Sequence, residues 1–455
     1  MIVMKFGGTS VGRPENFEIA CRLVQERLAR RPVVVVSALA GVTDLLEELC
    51  RRPERRPELI DRLEALHEDF ARAVDLPETA WREAFETLRR PDERRTPRPW
   101  TGAERDAALA VGERAAAGLF AVGMEARGVE SRAWLAGEAG LLTDDRFGGA
   151  HPLPQSAGRL RESLGDWPPL CVVTGFLGAT TDGRMTTLGR GGSDYSAALI
   201  GAALGAEEIQ IWTDTSGMLS ADPRIVSEAR PVPRLSFAEA SELAYFGARV
   251  LHPKTLLPAI EKDIPVRVLN TARPDDPGSL ITAGAGEVGE GWRVKSIACK
   301  KDVTAVTIAS TRMLLAYGFL ARVFEVFGRH HVVVDLVTTS EVSISVTVDD
   351  VSRLDEAIAE LEGIGQIEVK RGLAVVAVVG EGAPTKLGLA GHVFTLLGGV
   401  GIGVEMISQG ASRVNLSFVV RESDADAAVR LLHRGLGLDR VAEDQLSKTG
   451  RAASS

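Results

Sequence analysis

The sequence predicts a layered α/β domain with a mainly parallel sheet, followed by two ferredoxin-like modules. From Met1 to about Thr282, short apolar runs alternate with helical segments, which is the order of elements in βαβ units. Beyond that point the chain repeats itself, because one copy begins at Gly318 and the next at Gly388, an offset of 70 residues without a gap. A chain of 455 residues also favours more than one domain, at roughly 100–200 residues each.

The strands of the first domain are predicted from apolar runs that lack polar alternation, as expected of strands covered by helices on both faces. The runs are IVMKF, PVVVVSA, LCVVTGF, EIQIWTD and IPVRVLN, and helical stretches such as ENFEIACRLVQERLARR and SDYSAALIGAALGA lie between them. The stretch TARPDDPGSLITAGAGEVGEG then gathers Pro, Gly and Asp, which is the composition of a boundary. We therefore expect a first domain over residues 1–284 and a second region over residues 293–455.

Each copy of the repeat predicts one βαββα module. A strand-like run precedes each copy, DVTAVTIAS or GLAVVAVVG, and a helix follows it, VSRLDEAIAELEGI or DADAAVRLLHRGL. Matching positions carry the same residue, since Val323 aligns with Val393 and Phe324 with Phe394. We place the first module at about 306–380 and the second at about 381–455, with a contribution from 293–305.

Composition and charge exclude several classes of protein. A net charge of −9, from 53 basic and 62 acidic residues, disfavours a nucleic-acid partner, because that binding depends on neutralising phosphates. No apolar run approaches the ~18 residues of a membrane span, so we expect a cytoplasmic protein without a membrane partner. The four cysteines lie far apart and predict reduced thiols, not a metal knuckle or a disulfide scaffold. Mixed charges between Arg51 and Arg98 predict a solvated helical insertion.

The turn KFGGTSVG is the first candidate anion site. It directly follows the first strand, so Gly7 and Gly8 let the backbone turn tightly and direct N–H groups at an anion. Lys5 would point to the same place. The spacing is neither that of a Walker loop nor that of a dinucleotide fingerprint, and an ordinary strand-to-helix turn explains the motif equally well.

A second candidate anion site is the turn GRGGSDYS, which precedes a helix. We expect Ser193 or Asp194 to be the N-cap of that helix, whose free N–H groups and dipole favour an anion. Arg190 adds a planar cationic fork suited to a carboxylate or phosphate. An ordinary capping loop does not need this arginine, so the turn favours a binding function.

A third loop, WTDTSGMLSADPR, begins at the end of a predicted strand, the edge where α/β folds bind ligands. Alone, it would be interpreted as a Pro-containing turn capped by Asp. Three such loops together favour phosphoryl transfer, which needs positioned amides, cations and a metal. Covalent catalysis has little support, because the sequence has no GxSxG elbow and no HExxH pair.

At these residues the chain resembles the aspartate kinases, a branch of the amino acid kinase family. The matching blocks occur in the family's order across nearly the whole chain: KFGGTSVG, VVVSALAGVTD, TGFLG with TTLGRGGSDYSAALIGAALGA, IWTDTSGMLSADPR and FGARVLHPKTL. The repeat resembles the paired ACT modules that follow the kinase domain in this family. The resemblance implies a carbamate kinase-like three-layer sandwich with a mainly parallel sheet, followed by two ferredoxin-like βαββαβ ACT modules.

The resemblance implies ATP-dependent phosphorylation of the side-chain carboxylate of L-aspartate, with Mg²⁺ held mainly through the nucleotide phosphates. The implied catalytic residues are Lys5, Arg190 and Asp194, and Lys5 would neutralise charge on the transferred phosphoryl group. Glu113 or Asp194 would receive the substrate ammonium and Arg190 its carboxylate, although a lone Glu in an Ala-rich helix is more often solvated. The implied aspartate contacts are Ser37, Thr43, Glu113, Phe176, Arg190, Ser193 and Asp194.

The implied nucleotide contacts combine the first turn with the third loop and a later basic residue. Two positions depart from the family, since Leu219 stands where Tyr is frequent and Arg249 where Lys is frequent. The first change removes an aromatic contact to the nucleotide, whereas an arginine still pairs with phosphate in a different geometry. The full set is Lys5, Gly7 and Gly8 at the phosphates, and Thr213, Asp214, Gly217, Asp222, Arg224 and Arg249 near the base, ribose or phosphates.

In the first module, MLLAYGFLARVF and VVVDLVTTSEVSIS resemble the effector-binding ACT module of lysine-inhibited aspartate kinases. A carboxylate would rest on the helix N-terminus near Phe319 while Asp335 receives an amino group. Ala316 stands where some lysine-sensitive relatives carry Ser, so lysine is the favoured effector and threonine or no effector is an alternative. ACT modules commonly pair between subunits, which implies at least a homodimer. The implied effector contacts are Met313, Gly318, Phe319, Leu320, Asp335, Ser340 and Glu341.

The sequence leaves three functions to weigh. The first is a regulated aspartate kinase opening the route to lysine, threonine, methionine and diaminopimelate. The second is a kinase for another acidic amino acid on the same fold, against which the SALAG and FGARVLHPKT blocks and the tandem modules count. The third is a catalytically silent amino-acid sensor, against which the intact Lys5, Arg190 and Asp194 count.

Overall fold

The computed structural model describes residues 1–89, 99–166, 169–247, 251, 253–284, 294–313, 317–382, 388–409 and 414–439. The chain divides into two compact units that alternate along the sequence. Unit 1 comprises Met1–Met218, Pro233–Ser241 and Arg249–Gly286, and unit 2 comprises Leu219–Val232, Glu242–Ala248 and Glu287–Ser455. The domain limits 1–284 and 293–455 stay a prediction.

Unit 1 is built on an eight-stranded sheet and one short hairpin. The strands are β1 (Ile2–Phe6), β2 (Pro32–Val36), β3 (Ser131–Trp134), β4 (Leu170–Thr174), β5 (Leu177–Ala179), β6 (Met185–Thr187), β7 (Glu208–Thr213), β8 (Arg234–Ser236), β9 (Val266–Asn270) and β10 (Ser279–Thr282). The sheet order is β3-β4-β2-β1-β7-β9-β10-β8, with β5 and β6 forming the hairpin. Neighbours from β3 to β9 pair in parallel, and only β10 against β9 is antiparallel. The predicted mainly parallel sheet is therefore confirmed.

The parallel register brings several loops to one edge of this sheet. Phe6 lies beside both Val36 and Trp212, and Val36 lies beside Thr174. Because β1, β2, β4 and β7 end at the same level, the loops that follow them meet at the carboxyl edge. These loops carry most of the predicted site residues of unit 1.

Helices cover both faces of the sheet, which confirms the predicted three layers. The α-helices described up to residue 261 are α1 (Gly8–Val11), α2 (Pro14–Gln25), α3 (Val42–Arg51), α4 (Arg56–Ala73), α5 (Arg82–Arg89), α6 (Gly102–Glu125), α7 (Ser156–Leu164), α8 (Gly192–Leu204), α9 (Phe237–Tyr245) and α10 (Pro253–Glu261). The last four residues of α9 belong to unit 2. One apolar core joins α2, α3 and α6 to the even-numbered residues of β1. On the opposite face Gly201 of α8 approaches Val3 and Ile209, and α7 and α10 pack on α8.

The predicted helical insertion consists of α4 and α5, and only its outer face is solvated. Leu59, Leu63 and Phe70 of α4 belong to the core that α3 and α6 share. The charged residues form surface ion pairs, such as Arg72 with Glu68 at 2.8 Å. The mixed charges thus mark the exposed face of an amphipathic layer whose other face is core.

Helix α6 is an exception to the prediction that no apolar stretch approaches the length of a membrane span. By length and composition its 24 residues are sufficient to cross a membrane, yet 78% of its most apolar window is buried inside the unit. It contacts α3, α5, β3 and β4. A core helix passes the same length and hydropathy test as a membrane span, and the packing of α6 is that of a core helix.

Among its described residues, the part of unit 2 from residue 294 onward contains a six-stranded antiparallel sheet with four α-helices. The strands are β11 (Ser296–Ala309), β12 (Val337–Thr339), β13 (Ser343–Val348), β14 (Gln366–Val379), β15 (Met406–Ser408) and β16 (Asn415–Arg421), and the helices are α11 (Phe319–Arg329), α12 (Leu354–Leu361), α13 (Leu389–Gly399) and α14 (Glu422–Gly435). The sheet order is β12-β13-β11-β14-β16-β15. Each half has the order strand, helix, strand, strand, helix, so the two ferredoxin-like modules are confirmed, fused through the pairing of β11 with β14.

The segment Leu219–Val232 belongs to unit 2 although it lies far from the repeat in sequence. Its Ala221 and Val226 are buried in the core formed with α13 and α14. The hydroxyl of Ser220 lies 2.9 Å from Nε2 of His433, and both side chains are buried. Packing and a buried polar contact therefore fix this segment against the second module.

Candidate active site

A cavity of about 440 Å³ lies at the carboxyl edge of the sheet of unit 1. Its walls come from β1, α3 and α6, from the residues after β2 and β4, and from the turn before α8. Lys5 lines it together with all seven predicted aspartate contacts: Ser37, Thr43, Glu113, Phe176, Arg190, Ser193 and Asp194. Segments that are distant in sequence thus converge on one site.

Lys5 is fixed by an ion pair at the cavity wall. It is an odd-numbered residue of β1 and so faces the side of the sheet on which α8 packs. Its Nζ lies 2.6 Å from Oδ1 of Asp194, and the two side chains are 10% and 13% exposed. Little water screens a pair this buried. The ammonium is therefore in place before any ligand binds.

The turn after β1 uses its glycines for close packing. A Cβ on Gly8 would lie 2.8 Å from the carbonyl oxygen of Ala38, so only glycine fits there. The N–H of Gly7 donates to the carbonyl of Trp212 at 2.9 Å. The expectation that this amide points at an anion is therefore wrong, because β7 already accepts it. Gly7 still lies next to the ammonium, with its Cβ position 3.6 Å from Lys5 Nζ.

The turn before α8 contains two left-handed glycines. Gly189 and Gly191 have φ angles of +77° and +71°, and Arg190 between them lines the cavity. Gly191 is the N-cap of α8, so the prediction of Ser193 or Asp194 as N-cap is wrong. Both residues instead lie in the first turn of the helix and line the cavity. The turn geometry places the cap two residues earlier and frees both side chains for the site.

Phe176 lines the cavity in a strained backbone conformation. Its φ of +66° lies in the left-handed region, which costs a non-glycine residue roughly 1–3 kcal/mol. Its carbonyl accepts the N–H of Leu188 at 2.9 Å, which joins it to the end of the β5–β6 hairpin. Such strain persists only where the surroundings impose it, and it clusters at ligand sites.

Glu113 is buried in the cavity wall, so the solvated position expected of a lone Glu is wrong. The residue is 3% exposed, and its Oε1 accepts the N–H of Ala38 at 3.3 Å. Its Oε2 is buried and has no hydrogen-bond partner among the described residues. Burial raises the pKa of Glu113 to about 8, although the hydrogen bond from the Ala38 N–H acts in the opposite direction. The carboxyl group is therefore ready to accept a ligand that brings its own donors.

The cavity combines charges in a pattern that suits an amino acid. Arg190 and Arg105 supply guanidinium groups, whereas Lys5 is already neutralised by Asp194. Over the described part of the chain, Glu113 forms no ion pair with a basic side chain. A ligand with a carboxylate and an ammonium thus meets one partner for each group.

Sequence reasoning missed five lining residues: Glu47, Arg105, Leu109, Gly148 and Thr187. Leu109 and Arg105 precede Glu113 by four and eight residues on α6. This spacing places them on the same helix face as Glu113. They could therefore have been predicted once Glu113 was chosen. Gly148 and Thr187 carry no pattern of their own, because backbone contacts bring them to the site.

The residues after β7 that were predicted to contact nucleotide lie in unit 1. The Asp214 carbonyl accepts the side-chain amide of Asn270 at 3.2 Å. Gly217 has a φ of +105°, and a Cβ there would lie 2.4 Å from Oγ of Ser279. The loop is thus anchored to β9 and β10. The described lining of the cavity includes neither Thr213, Asp214 nor Gly217.

The other predicted nucleotide contacts lie in unit 2 or outside the described residues. Asp222 and Arg224 belong to unit 2, where Nε of Arg224 donates to Oδ1 of Asp222 at 2.9 Å. Leu219 forms an isolated antiparallel bridge with Pro231 in the same unit. Arg249 lies outside the described residues.

The predicted effector residues of unit 2 lie before and at the start of α11, before β12, and in the β12–β13 turn. Gly318 is the N-cap of α11 with a φ of +76°, Phe319 is buried, and Leu320 is 43% exposed. Met313 packs against the same module core. In the turn, Oγ of Ser340 lies 2.8 Å from Oγ of Ser343, and Glu341 is exposed.

Asp335, predicted to bind the amino group of an effector, is already paired with the amino group of Lys300. Its side chain is 1% exposed, and its Oδ2 lies 2.9 Å from Nζ of Lys300. The hydroxyl of Tyr245 donates to the other oxygen. Lys300 also lies 2.7 Å from Oδ2 of Asp349. An incoming ammonium would compete with Lys300 for this carboxylate.

Comparison with known protein families agrees with these features. The model of the amino acid kinase family matches residues 1–270, and that of an ACT domain matches residues 376–436. The chain is similar to the lysine-sensitive aspartokinase 3 of Escherichia coli (strain K12), with 36% identity over 96% of this chain and 99% of that protein. It is also similar to the chloroplastic aspartokinase 1 of Arabidopsis thaliana, with 39% identity over 95% of this chain and 79% of that protein.

Solved structures give the same result. The crystal structure of E. coli aspartokinase III in complex with aspartate and ADP, in the R-state, matches with a TM-score of 0.82 and 34% identity. The T-state structure of that enzyme with lysine and aspartate matches with a TM-score of 0.73 and 34% identity. Each match covers 96% of this chain and 99% of the other.

Proposed function

The chain belongs to the aspartokinases of the amino acid kinase family, and we propose on this basis that it transfers the γ-phosphoryl group of ATP to the side-chain carboxylate of L-aspartate. An oxygen of that carboxylate attacks the γ-phosphorus, the bond from phosphorus to the bridging oxygen breaks, and 4-phospho-L-aspartate and ADP leave. The observation that carries the proposal is the convergence of seven predicted substrate contacts and Lys5 on one cavity.

The charges in the cavity support one orientation of the substrate. Arg190 binds the α-carboxylate through its planar fork. Glu113 binds the ammonium, because Asp194, the other candidate, is occupied by Lys5 at 2.6 Å. The side-chain carboxylate is then left for Lys5, whose positive charge stabilises the transferring phosphoryl group most strongly in the transition state. Asp194 contributes by holding Lys5 in place.

We propose that Mg²⁺ arrives with the nucleotide and is held mainly by its phosphates. Among the described residues, no three His, Cys, Asp or Glu side chains come together as a metal-binding group. When bound, the ion neutralises phosphate charge and orients the leaving group. The proposed nucleotide contacts remain Lys5, Gly8, Thr213, Asp214, Gly217, Asp222, Arg224 and Arg249. Gly7 is proposed only for its place beside Lys5, since its N–H is bonded to Trp212.

We further propose that lysine inhibits the enzyme through the first ACT module and that the modules pair two copies of the chain. The E. coli relative is named for its sensitivity to lysine and has been crystallised with lysine. The pathway would lead to lysine, threonine, methionine and diaminopimelate. A cytoplasmic location stays a prediction, since the Arabidopsis relative is chloroplastic.

A direct assay tests the proposed reaction. The purified chain is incubated with ATP, Mg²⁺ and either aspartate, glutamate or another acidic amino acid, and hydroxylamine traps the acyl phosphate. We expect product with aspartate and at least about 100-fold less with glutamate. Preference for glutamate would support the alternative of a kinase for another acidic amino acid. The absence of acyl phosphate with every amino acid would support the catalytically silent sensor.

Substitution of Lys5 tests its role in the same assay. Lys5→Ala removes the cation at the phosphoryl group, and losses of about 10²–10³ in kcat are typical for such groups. Lys262→Ala is the matched control, because Lys262 is an exposed lysine of unit 1, and it should retain full activity. Normal turnover by a folded Lys5→Ala enzyme would remove Lys5 from the mechanism.

A further inference from the structure

Asp106 is a buried carboxylate that the proposed chemistry does not use. It lies on α6, seven residues before Glu113, and is fully buried at 0% exposure. Seven residues are close to two helical turns, so both acids lie on the same face of α6. A buried carboxylate is costly unless its lone pairs are satisfied. Its hydrogen-bond partners therefore indicate what keeps it there.

Both partners of Asp106 are backbone amides of the cavity lining. Its Oδ2 accepts the N–H of Thr187 at 2.7 Å and the N–H of Gly148 at 2.9 Å, and both donor residues line the cavity. Its Oδ1 is buried without a hydrogen-bond partner among the described residues. Burial raises the pKa of Asp106, and the two amides act in the opposite direction. The carboxylate thus joins α6 to two separate loops of the site.

These two loops are also bonded to each other next to the glycine turn. The N–H of Ala150 donates to the Thr187 carbonyl at 2.9 Å, and the Gly148 carbonyl lies 3.3 Å from the Cβ position of Gly189. Thr187 precedes Gly189 by two residues, and Arg190 is the residue directly after Gly189. Any shift of Thr187 against α6 therefore moves Arg190 relative to Glu113.

We propose that Asp106 is a positioning residue that sets the distance between Arg190 and Glu113. The inference rests on the proposed function, in which these two side chains bind the carboxylate and the ammonium of the same amino acid. Asp106 is not among the described residues that line the cavity. It acts through the amides of Thr187 and Gly148, which hold the Arg190 turn against α6. Its loss should weaken recognition of the amino acid more than that of ATP.

Steady-state kinetics separate this role from a merely structural one. Asp106→Ala should raise the KM for aspartate at least about tenfold and leave the KM for ATP within about twofold. Asp106→Asn keeps the side-chain shape and one acceptor oxygen but loses the charge that strengthens both hydrogen bonds. It should therefore raise the aspartate KM by about threefold, less than Asp106→Ala does. Asp69→Asn is the control, because Asp69 is an exposed acid of α4, and it should change neither constant. Equal rises in both KM values, or an unchanged aspartate KM, would overturn the proposal.

Hydrogen exchange gives a second readout that requires no turnover. Without ligand, the amides of 146–150 and 185–192 should exchange at least about tenfold faster in Asp106→Asn than in the wild type, with α10 unchanged. This result decides the case if Asp106→Ala does not fold, and unaltered exchange in both segments would reject the positioning role. If the exchange changes but the wild-type enzyme does not phosphorylate aspartate, the proposed function fails while the positioning role stands.

Discussion

At the scale of single residues, the protonation of Glu113 links the site to pH. Its carboxyl group accepts one backbone N–H, from Ala38, and burial raises its pKa to about 8. The free enzyme at neutral pH therefore holds this group largely as the neutral acid. A bound ammonium favours the ionised form, so substrate binding must release a proton.

The affinity for aspartate should accordingly rise with pH. With a free-enzyme pKa of about 8, Kd should be roughly 50-fold higher at pH 6 than at pH 8, since each unit below the pKa costs about a factor of ten. Titration calorimetry with ADP and Mg²⁺ present measures this. At pH 7, experiments in two buffers of different ionisation enthalpy should show about 0.9 protons released per aspartate.

Two carboxyl variants identify the titrating group. Glu113→Gln should bind aspartate weakly and without this pH dependence. Glu47→Gln makes the same change in the same cavity, but Glu47 is half-exposed and paired with Arg51, so it should keep the wild-type profile. A persistent slope in Glu113→Gln would assign the proton to another group.

The residue types of the site could be predicted from the sequence, but their environments could not. Motif spacing pointed to Lys5 and Arg190, because glycine-rich turns constrain the backbone locally, whereas the site role of Asp194 was implied by the family resemblance. The same local information leaves Glu113 in an Ala-rich stretch whose exposed and buried faces look alike. Asp106 gave no signal at all, because its partners are backbone amides 42 and 81 residues away.

At the scale of elements, the layer formed by α4 and α5 contains a buried histidine. His67 is fully buried between Trp81 and Phe85, with ring centroids at 5.7 and 4.9 Å. Its Nδ1 donates to the Leu63 carbonyl at 2.8 Å, and burial lowers its pKa from 6.5 to about 4. The folded layer therefore requires the neutral imidazole.

This histidine should make the stability of unit 1 fall in mild acid. Above pH 6.5 the histidine is neutral in both the folded and the unfolded chain, so it does not oppose folding. As the pH falls from 6.5 toward 4, the histidine takes up a proton in the unfolded chain only, and the folded state loses stability. By pH 5 the loss should reach roughly 2 kcal/mol. Urea unfolding at pH 7 and pH 5 measures it, and tryptophan fluorescence reports on unit 1 through Trp81, Trp100, Trp134 and Trp212, which lie in that unit. His67→Leu should lose about 2 kcal/mol less than the wild type, and an equal loss in both would exclude His67 as the cause.

Element types followed from sequence patterns more reliably than element ends and partners. The buried strands and the repeat were predictable because hydrophobic periodicity reflects packing directly. The cap of α8 was not, since the left-handed Gly191 takes the place expected of Ser193 or Asp194. Nor was the position of Leu219–Val232, whose Ala221 and Val226 pack with α13 and α14 more than 160 residues away.

At the scale of the whole molecule, regulation depends on what an effector must displace. Asp335 is paired with Lys300, and Lys300 is shared with Asp349. Burial alone would lower the pKa of Lys300, but the hydrogen bonds that its ammonium donates to Asp349 and Asp335 outweigh this effect and raise that pKa. Lys300 thus stays charged and occupies the carboxylate predicted to bind the effector's amino group. A ligand that binds one state of the enzyme more tightly shifts the population toward that state. Here the binding free energy of the effector is reduced by the cost of breaking the Lys300–Asp335 pair.

Removing Lys300 should therefore make the enzyme more sensitive to lysine. In Lys300→Met the buried Asp335 lacks its cation, and the ammonium of lysine can supply one, so the lysine concentration for half-inhibition should fall about tenfold, or roughly 1.4 kcal/mol in binding. Lys301→Met is the matched control, because Lys301 is the adjacent lysine and pairs with Asp426 at 2.7 Å instead. This variant should respond to lysine as the wild type does. The measurement is the acyl-phosphate assay with added lysine, supported by calorimetry of lysine binding. Weaker inhibition of Lys300→Met would mean that Lys300 helps to hold the effector, because a competitor's removal can only strengthen binding at Asp335.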